Sequence, residues 1–246
     1  MDRADQISMA NAPGFFINLA PTGMIPTRSM TRHVPLNHNE IVEDVGRCME
    51  LGIQMVHLHA RDSEERHSAD PEQYGRLVEA VRALPGGKEL VIGITTSGRL
   101  DPSFEARSGV LDLDGDMKPD MASLTTSSLN FANSASINSP SVVQALAARM
   151  AEVGIRPEIE IFDLGMANYA RVLQNKGLIK GPIYANLLFG NIATSQTSIG
   201  QIAAMVNSAP SDWVLAGAGI GRSQMAANLL GLLYLDGARV GLEDNI

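Results

Sequence analysis

The sequence predicts a (β/α)₈ barrel, on three observations. Short apolar runs with strand character recur eight times within 246 residues, and helical patterns separate most of them. The runs are also close to continuously apolar, as parallel strands covered on both faces are, so a closed barrel fits better than an open doubly wound sheet.

The first run, FFINLA (15–20), is followed by an irregular stretch (21–39) and a helical pattern at about 40–52. MVHLHAR (55–61) comes next, then a helix at 71–84 whose start is marked by Asp70 before Pro71. LVIGITT (90–96) leads into a second irregular stretch (97–120), and MASLTT (121–126) precedes a helix at 140–154 opened by Asn138 or Ser139 before Pro140. EIEIFD (158–163), IYANLLFG (183–190) and WVLAGAG (213–219) alternate with helices at 165–176, 197–208 and 222–234. The last run is ARVGLED (238–244). A barrel normally continues into a helix after strand eight, so the chain is expected to stop short of that final helix. The expected organisation is an N-terminal extension (1–14) and one barrel domain (15–246).

Composition narrows the function classes. With 45% hydrophobic and 19% charged residues, the chain has apolar material for one sizeable core. A net charge of −8 opposes a nucleic-acid or anionic-membrane surface. The lone Cys48 cannot form an intramolecular disulfide and reads as core; Met205 and Met225 also read as core. No signal peptide and no long apolar span is visible, so a cytoplasmic protein is expected.

Barrel enzymes carry their chemistry at the C-terminal strand ends, and here those ends are polar. Strand two carries His57 and His59, with Arg61 and Asp62 beyond them; strand five ends at Asp163; strand eight ends in Glu243, Asp244 and Asn245. Residues i and i+2 of a strand share a face, so the two imidazoles point the same way; the doublet alone reads equally as two ligands of one metal ion or as histidines hydrogen-bonded inside a polar strand end. Strand eight closes against strand one, which brings Glu243 across the barrel mouth and makes a His₂Glu site feasible, with the open position that a catalytic zinc keeps. Taken alone, Glu243 or Asp244 reads as an ordinary solvated acid or a helix N-cap, and only the histidines beside it favour a ligand. His33, His38 and His67 fall in polar, loop-like segments and read as surface. No histidine follows residue 67, which disfavours two-metal hydrolases that draw histidines from later strands. GAGIGRSQ (217–224) with Arg222 reads either as an anion site at a helix N-terminus or as a tight turn.

Together LAPTG (19–23), VHLHARD (56–62), ITTSG (94–98), PDMASLTTSSLNF (119–131), PEIEIFDLGM (157–166), AGIGR (218–222) and RVGLEDN (239–245) resemble the β-keto acid cleavage enzymes, the family containing 3-keto-5-aminohexanoate cleavage enzyme. The resemblance implies a zinc-dependent acyltransferase on a barrel, converting a β-keto acid and acetyl-CoA into acetoacetate and a new acyl-CoA by enolate formation, Claisen-type addition and retro-Claisen cleavage. It implies that His57, His59 and Glu243 hold Zn²⁺, that Asp244 is the base removing the C2 proton, and that Arg239 orients or tunes Asp244. It places Thr95 and Ser128 against substrate oxygens, and it carries the expectation of a homotetramer. Arg28, Arg32 and Arg222 are candidates for CoA phosphates or an anionic substrate tail.

Where members acting on amino-substituted substrates resemble TGAE after strand one, this chain has Thr22, Gly23, Met24 and Ile25. Met24 supplies no charge for an ammonium group, which favours an uncharged or anionic β-keto acid unless an aromatic such as Tyr74 substitutes. Two other functions fit the same residues: a zinc-dependent aldolase or lyase that uses no CoA, and a non-catalytic barrel that binds a small metabolite.

Overall fold

In the computed structural model, which describes residues 14–246, eight parallel strands close into a barrel. Residues 1–13, nearly all of the expected extension, lie outside the described residues. The chain runs β1 (Phe16–Leu19), α1 (His38–Glu50), β2 (Met55–Leu58), α2 (Pro71–Arg82), β3 (Val91–Ile94), α3 (Phe104–Ser108), β4 (Met121–Thr125), β5 (Leu129–Asn130) and β6 (Ala135–Ser136). It continues through α4 (Pro140–Val153), β7 (Arg156–Ile161), α5 (Leu164–Asn175), β8 (Tyr184–Phe189), α6 (Ile199–Ser208), β9 (Val214–Gly219), α7 (Gln224–Tyr234) and β10 (Gly237–Val240). β5 and β6 form a small antiparallel hairpin outside the barrel, and the other strands pair in chain order. β1 closes the ring, with Leu19 opposite Val56 of β2 and Phe16 opposite Gly237 of β10.

Helices α1 to α5 each start where a capping side chain meets a free amide, whereas α6 and α7 have no side-chain cap. Asn37 and Glu40 form a capping box on α1, Asp70 caps α2 ahead of Pro71, and Ser139 caps α4 ahead of Pro140. Asp163, polar at a strand end, caps α5 by accepting from the Met166 amide at 2.9 Å. The helices bury one face against the strands: Ile41 and Val45 of α1, Leu77, Val78 and Val81 of α2, and Leu146 and Met150 of α4 are at most 2% exposed. Each such side chain contributes about 1.5–3 kcal/mol by leaving water.

Three features depart from the sequence reading. The 97–120 stretch holds α3 and two short 3₁₀ turns, each with too few residues to show a helical period. β10 ends at Val240 instead of running to 244, because Gly241 at φ +157° turns the chain back and the Asp244 and Asn245 amides both donate to its carbonyl. Met205 is buried as expected, but Cys48 is only half-buried on α1 and Met225 is exposed on α7. Among the described residues no helix is long and apolar enough to cross a membrane.

α7 lies close on β9 because Gly217 has no side chain: a Cβ there would meet the Ala227 carbonyl oxygen at 2.2 Å. Gly217→Ala is therefore expected to destabilise the fold by about 1–3 kcal/mol through overpacking, seen as a lower urea midpoint with an unchanged m-value.

Candidate active site

The barrel interior is polar where an ordinary core would be apolar. Asn18, His57, Glu158, Asn186 and Arg239 are all at most 1% exposed, from β1, β2, β7, β8 and β10. Burying so many polar groups is tolerable only if they satisfy one another. Glu158 Oε2 accepts from His57 Nδ1 at 2.7 Å, and its Oε1 accepts from Asn186 Nδ2 at 2.7 Å and Asn18 Nδ2 at 2.9 Å. The Tyr184 hydroxyl accepts from Asn18 at 3.0 Å and donates to Asn186 at 2.6 Å, completing the network. Gly93 of β3 makes room for it, since a Cβ there would stand 2.7 Å from Glu158 Oε2.

A carboxylate can only accept, so Glu158 fixes a proton on His57 Nδ1 and turns Nε2 toward the barrel mouth. His57 Nε2 stands 3.9 Å from Glu243 Oε2, and His59 Nε2 stands 3.1 Å from Glu243 Oε1. One ligand atom from each of His57, His59 and Glu243 fits within 4.8 Å of the other two. His57 Nε2, His59 Nδ1 and Glu243 Oε2 are buried without a hydrogen-bond partner. His59 turns Nε2, not its unpartnered Nδ1, toward Glu243, so the group that fits a single divalent ion is His57 Nε2, His59 Nε2 and the Glu243 carboxylate. Burial opposes charging His57, but the carboxylates of Glu158 and Glu243 outweigh it and raise the imidazole to about 9. Burial also works against ionising Glu243, yet Arg239 and the two histidines hold its carboxyl below the usual range.

Arg239 organises the acids. Its Nε donates to Asp244 Oδ2 at 2.9 Å and its Nη2 to Asp244 Oδ1 at 3.2 Å; Nη2 also lies 2.9 Å from Glu243 Oε1, and Nη1 lies 3.4 Å from Glu160 Oε1. Thr125 Oγ1 donates to Glu160 Oε2 at 2.6 Å. Burial pushes the Asp244 carboxyl up to about 6; Arg239 opposes the rise and the neighbouring Glu243 carboxylate adds to it.

Arg61 Nη2 donates to the Gly23 carbonyl, to Pro26 O at 3.1 Å and to Thr22 Oγ1 at 3.3 Å, so the arginine of HLHARD clamps the loop after β1. That loop passes so near Glu243 that a Cβ on Gly23 would meet its Cγ at 2.4 Å. Asp62 accepts from the Glu64 and Arg66 amides and shapes a turn.

Above the cluster opens a cavity of about 420 Å³, lined by His59, Thr95, Glu160, Arg239, Glu243 and Asp244 on its polar side. Met24, Leu129, Phe131, Phe162, Leu188 and Ile220 form its apolar side. His57, His59, Glu243, Asp244, Arg239 and Thr95 are thus brought together.

Several expectations need correction. Ser128 is exposed, accepts from the Asn138 amide at 2.8 Å, and is not among the cavity-lining residues; Thr125, three residues earlier, takes that place. Arg222 is exposed on a 3₁₀ turn outside the lining, and the neighbouring Gly221 amide donates to Asp244 O at 2.7 Å, so this loop spends an amide on the fold. Arg28 is held by Glu40 and Glu65. Tyr74 is 1% exposed on α2 and does not reach the cavity. His67 is half-buried, its ring 5.3 Å from that of His59, and burial lowers it to about 3. Glu158 and Glu160, spaced i, i+2 in an apolar strand, carry the same local signal as His57 and His59.

A family model described as beta-keto acid cleavage enzyme matches residues 15–246. The 3-oxoadipate:acetyl-CoA acetyltransferase of Cupriavidus necator is 36% identical over 94% of this chain and 80% of its own length. The 3-dehydrocarnitine:acetyl-CoA trimethylamine transferase of Rhizobium meliloti is 30% identical over 94% and 83%, and the 3-keto-5-aminohexanoate cleavage enzyme of Fusobacterium nucleatum is 29% identical over 94% and 82%. Among solved structures, apo ObcA superposes with a TM-score of 0.73 at 22% identity over 86% of this chain. This chain spans only 56% of ObcA, and at that identity the likeness shows the fold alone.

Proposed function

The chain belongs to the β-keto acid cleavage enzyme family, and on that premise we propose that it is a zinc-dependent enzyme cleaving a β-keto acid with acetyl-CoA to acetoacetate and a new acyl-CoA. The observation that carries the reading is the approach of His57, His59 and Glu243, a ligand atom of each lying within 4.8 Å of the others and His57 Nε2 and Glu243 Oε2 buried without a hydrogen-bond partner, beside a cavity whose wall holds a carboxylate gripped by an arginine. A β-keto dicarboxylate such as 3-oxoadipate is the favoured substrate: Met24 in the cavity wall offers no charge to an ammonium group, and the 36%-identical relative is named for 3-oxoadipate.

His57, His59 and Glu243 would hold the ion, which when bound supplies Lewis-acid polarisation of the substrate's keto and carboxylate oxygens. Asp244 receives the C2 proton on a carboxylate oxygen. Its elevated pKa matches it to proton transfer near neutrality. Arg239, gripping both Asp244 oxygens and Glu243, keeps the base turned toward the cavity and balances the paired negative charge. Thr95 offers a hydroxyl to a substrate oxygen from the turn after β3. The apolar wall excludes water while the electron pair left at C2 attacks the thioester carbonyl of acetyl-CoA and the CoA thiolate departs. That thiolate then attacks the original keto carbon, the C2–C3 bond breaks, and the departing acetoacetate takes its proton back from Asp244.

The test is acetoacetate formation from β-keto acids with and without acetyl-CoA. Product that requires acetyl-CoA, with the new acyl-CoA in equal amount, is expected; turnover independent of CoA would favour the aldolase or lyase. Glu158→Gln is expected to weaken metal affinity by about 10–100-fold, because an amide can turn its own N–H toward His57 Nδ1 and no longer dictates the tautomer. Competition against a chelator of known affinity reads this out.

A further inference from the structure

Among the described residues the cavity wall holds two arginines, and their circumstances differ. Arg239 is saturated by Asp244, Glu243 and Glu160. Arg99, on the turn after β3, has no carboxylate within 4 Å and no hydrogen bond from its guanidinium among the described residues. Instead its guanidinium carbon lies 3.5 Å from the centroid of the Phe131 ring, which packs edge-on against Phe162 at 6.0 Å and 89°. Arg99, Phe131 and Phe162 all line the cavity. A half-buried guanidinium stacked on an aromatic face keeps its edge donors free, in the fork arrangement that matches a carboxylate.

The turn that carries Arg99 is held in place. Thr96 N donates to Ser123 Oγ at 3.0 Å and Arg107 Nε donates to Thr96 O at 2.7 Å. A Cβ on Gly98 would meet Ile137 O at 2.7 Å and Arg107 Nη1 at 2.8 Å, so the backbone beside Arg99 is tightly enclosed. The carboxylates of the lining, Glu160, Glu243 and Asp244, are all in contact with Arg239. Among the described residues the cavity therefore offers one guanidinium free to meet an anion and no side-chain carboxylate free of Arg239 to meet a cation.

We propose that Arg99 receives the distal carboxylate of a β-keto dicarboxylate, and so sets the preference of this site for dianionic over neutral or ammonium-bearing β-keto acids. The assignment rests on the proposed reading of the cavity as the β-keto acid site, and its test is a binding measurement that does not depend on turnover.

The affinities of 3-oxohexanedioate and 3-oxohexanoate, measured by calorimetry without acetyl-CoA, are compared for the wild-type protein, Arg99→Met and Arg99→Lys. The expected wild-type preference for the diacid is about 30-fold, the scale of one charge-assisted pair. Arg99→Met, which keeps an apolar stem over Phe131, is expected to erase that preference while leaving the monoacid within about twofold, and Arg99→Lys to keep part of it. Equal wild-type affinities, no binding of either acid, a preference that survives in Arg99→Met, or an equal loss of both ligands would overturn the assignment. A preference lost in Arg99→Met, in a protein that then makes no acetoacetate when acetyl-CoA is added, would keep Arg99 as the anion receptor and overturn the cleavage reaction instead.

Discussion

Replacing Glu243 by glutamine is expected to strip the protein of its metal and to lower kcat/KM for acetoacetate formation by at least about 10³-fold, the several kcal/mol that Lewis-acid stabilisation supplies. Glutamine conserves the volume that packs against the Gly23 backbone, so the loop after β1 keeps its seat. What disappears is the anionic ligand between two imidazoles and the charge that meets Arg239 Nη2 at 2.9 Å. Metal content and kcat/KM should fall together while the far-UV circular dichroism stays native. A variant that holds its metal and its activity would remove Glu243 from the ligand set.

Asp244→Asn separates the base from the metal site. The side chain keeps its size and one acceptor oxygen for Arg239, but it can no longer take up a proton, so kcat is expected to drop about 10²–10⁴-fold with metal content unchanged. Single-turnover measurement of C2 proton exchange in the β-keto acid, with deuterium in the solvent, reads the step itself. Exchange at the wild-type rate in Asp244→Asn would assign the base elsewhere, with Glu160 the next carboxylate in the wall. Loss of exchange with retained metal would fix the division of labour between adjacent residues: Glu243 binds, Asp244 moves the proton.

The barrel was legible because strands buried on both faces cannot alternate and because caps such as Asp70 before Pro71 and Ser139 before Pro140 mark helix starts locally. The histidine pair was legible for the same local reason, a period of two in a strand. The sequence reading failed where position depends on distant backbone. Ser128 and Thr125 are three residues apart, and only the end of β4 at Thr125, followed by the hairpin β5–β6, decides which hydroxyl faces the cavity. Asp163 and Glu160 are both acids of one strand region; the helix that begins at Leu164 takes the first as a cap, and the barrel interior takes the second. The contact that orders the loop after β1, Arg61 with Gly23 and Pro26, joins motifs 35 or more residues apart and leaves no periodic trace in either. His67 came to lie beside His59 through the isolated bridge between Arg61 and His67, a turn that the polar composition of 62–68 had suggested was merely surface.

Behind both variants stands one claim, that a single divalent ion sits between β2 and the turn after β10. Elemental analysis of the purified protein by mass spectrometry, before and after dialysis against a chelator, tests it most directly. Close to one equivalent of zinc per chain is expected, with loss of acetoacetate formation when the metal is removed and recovery when it is restored. Protein free of transition metal that cleaves β-keto acids at full rate would contradict it.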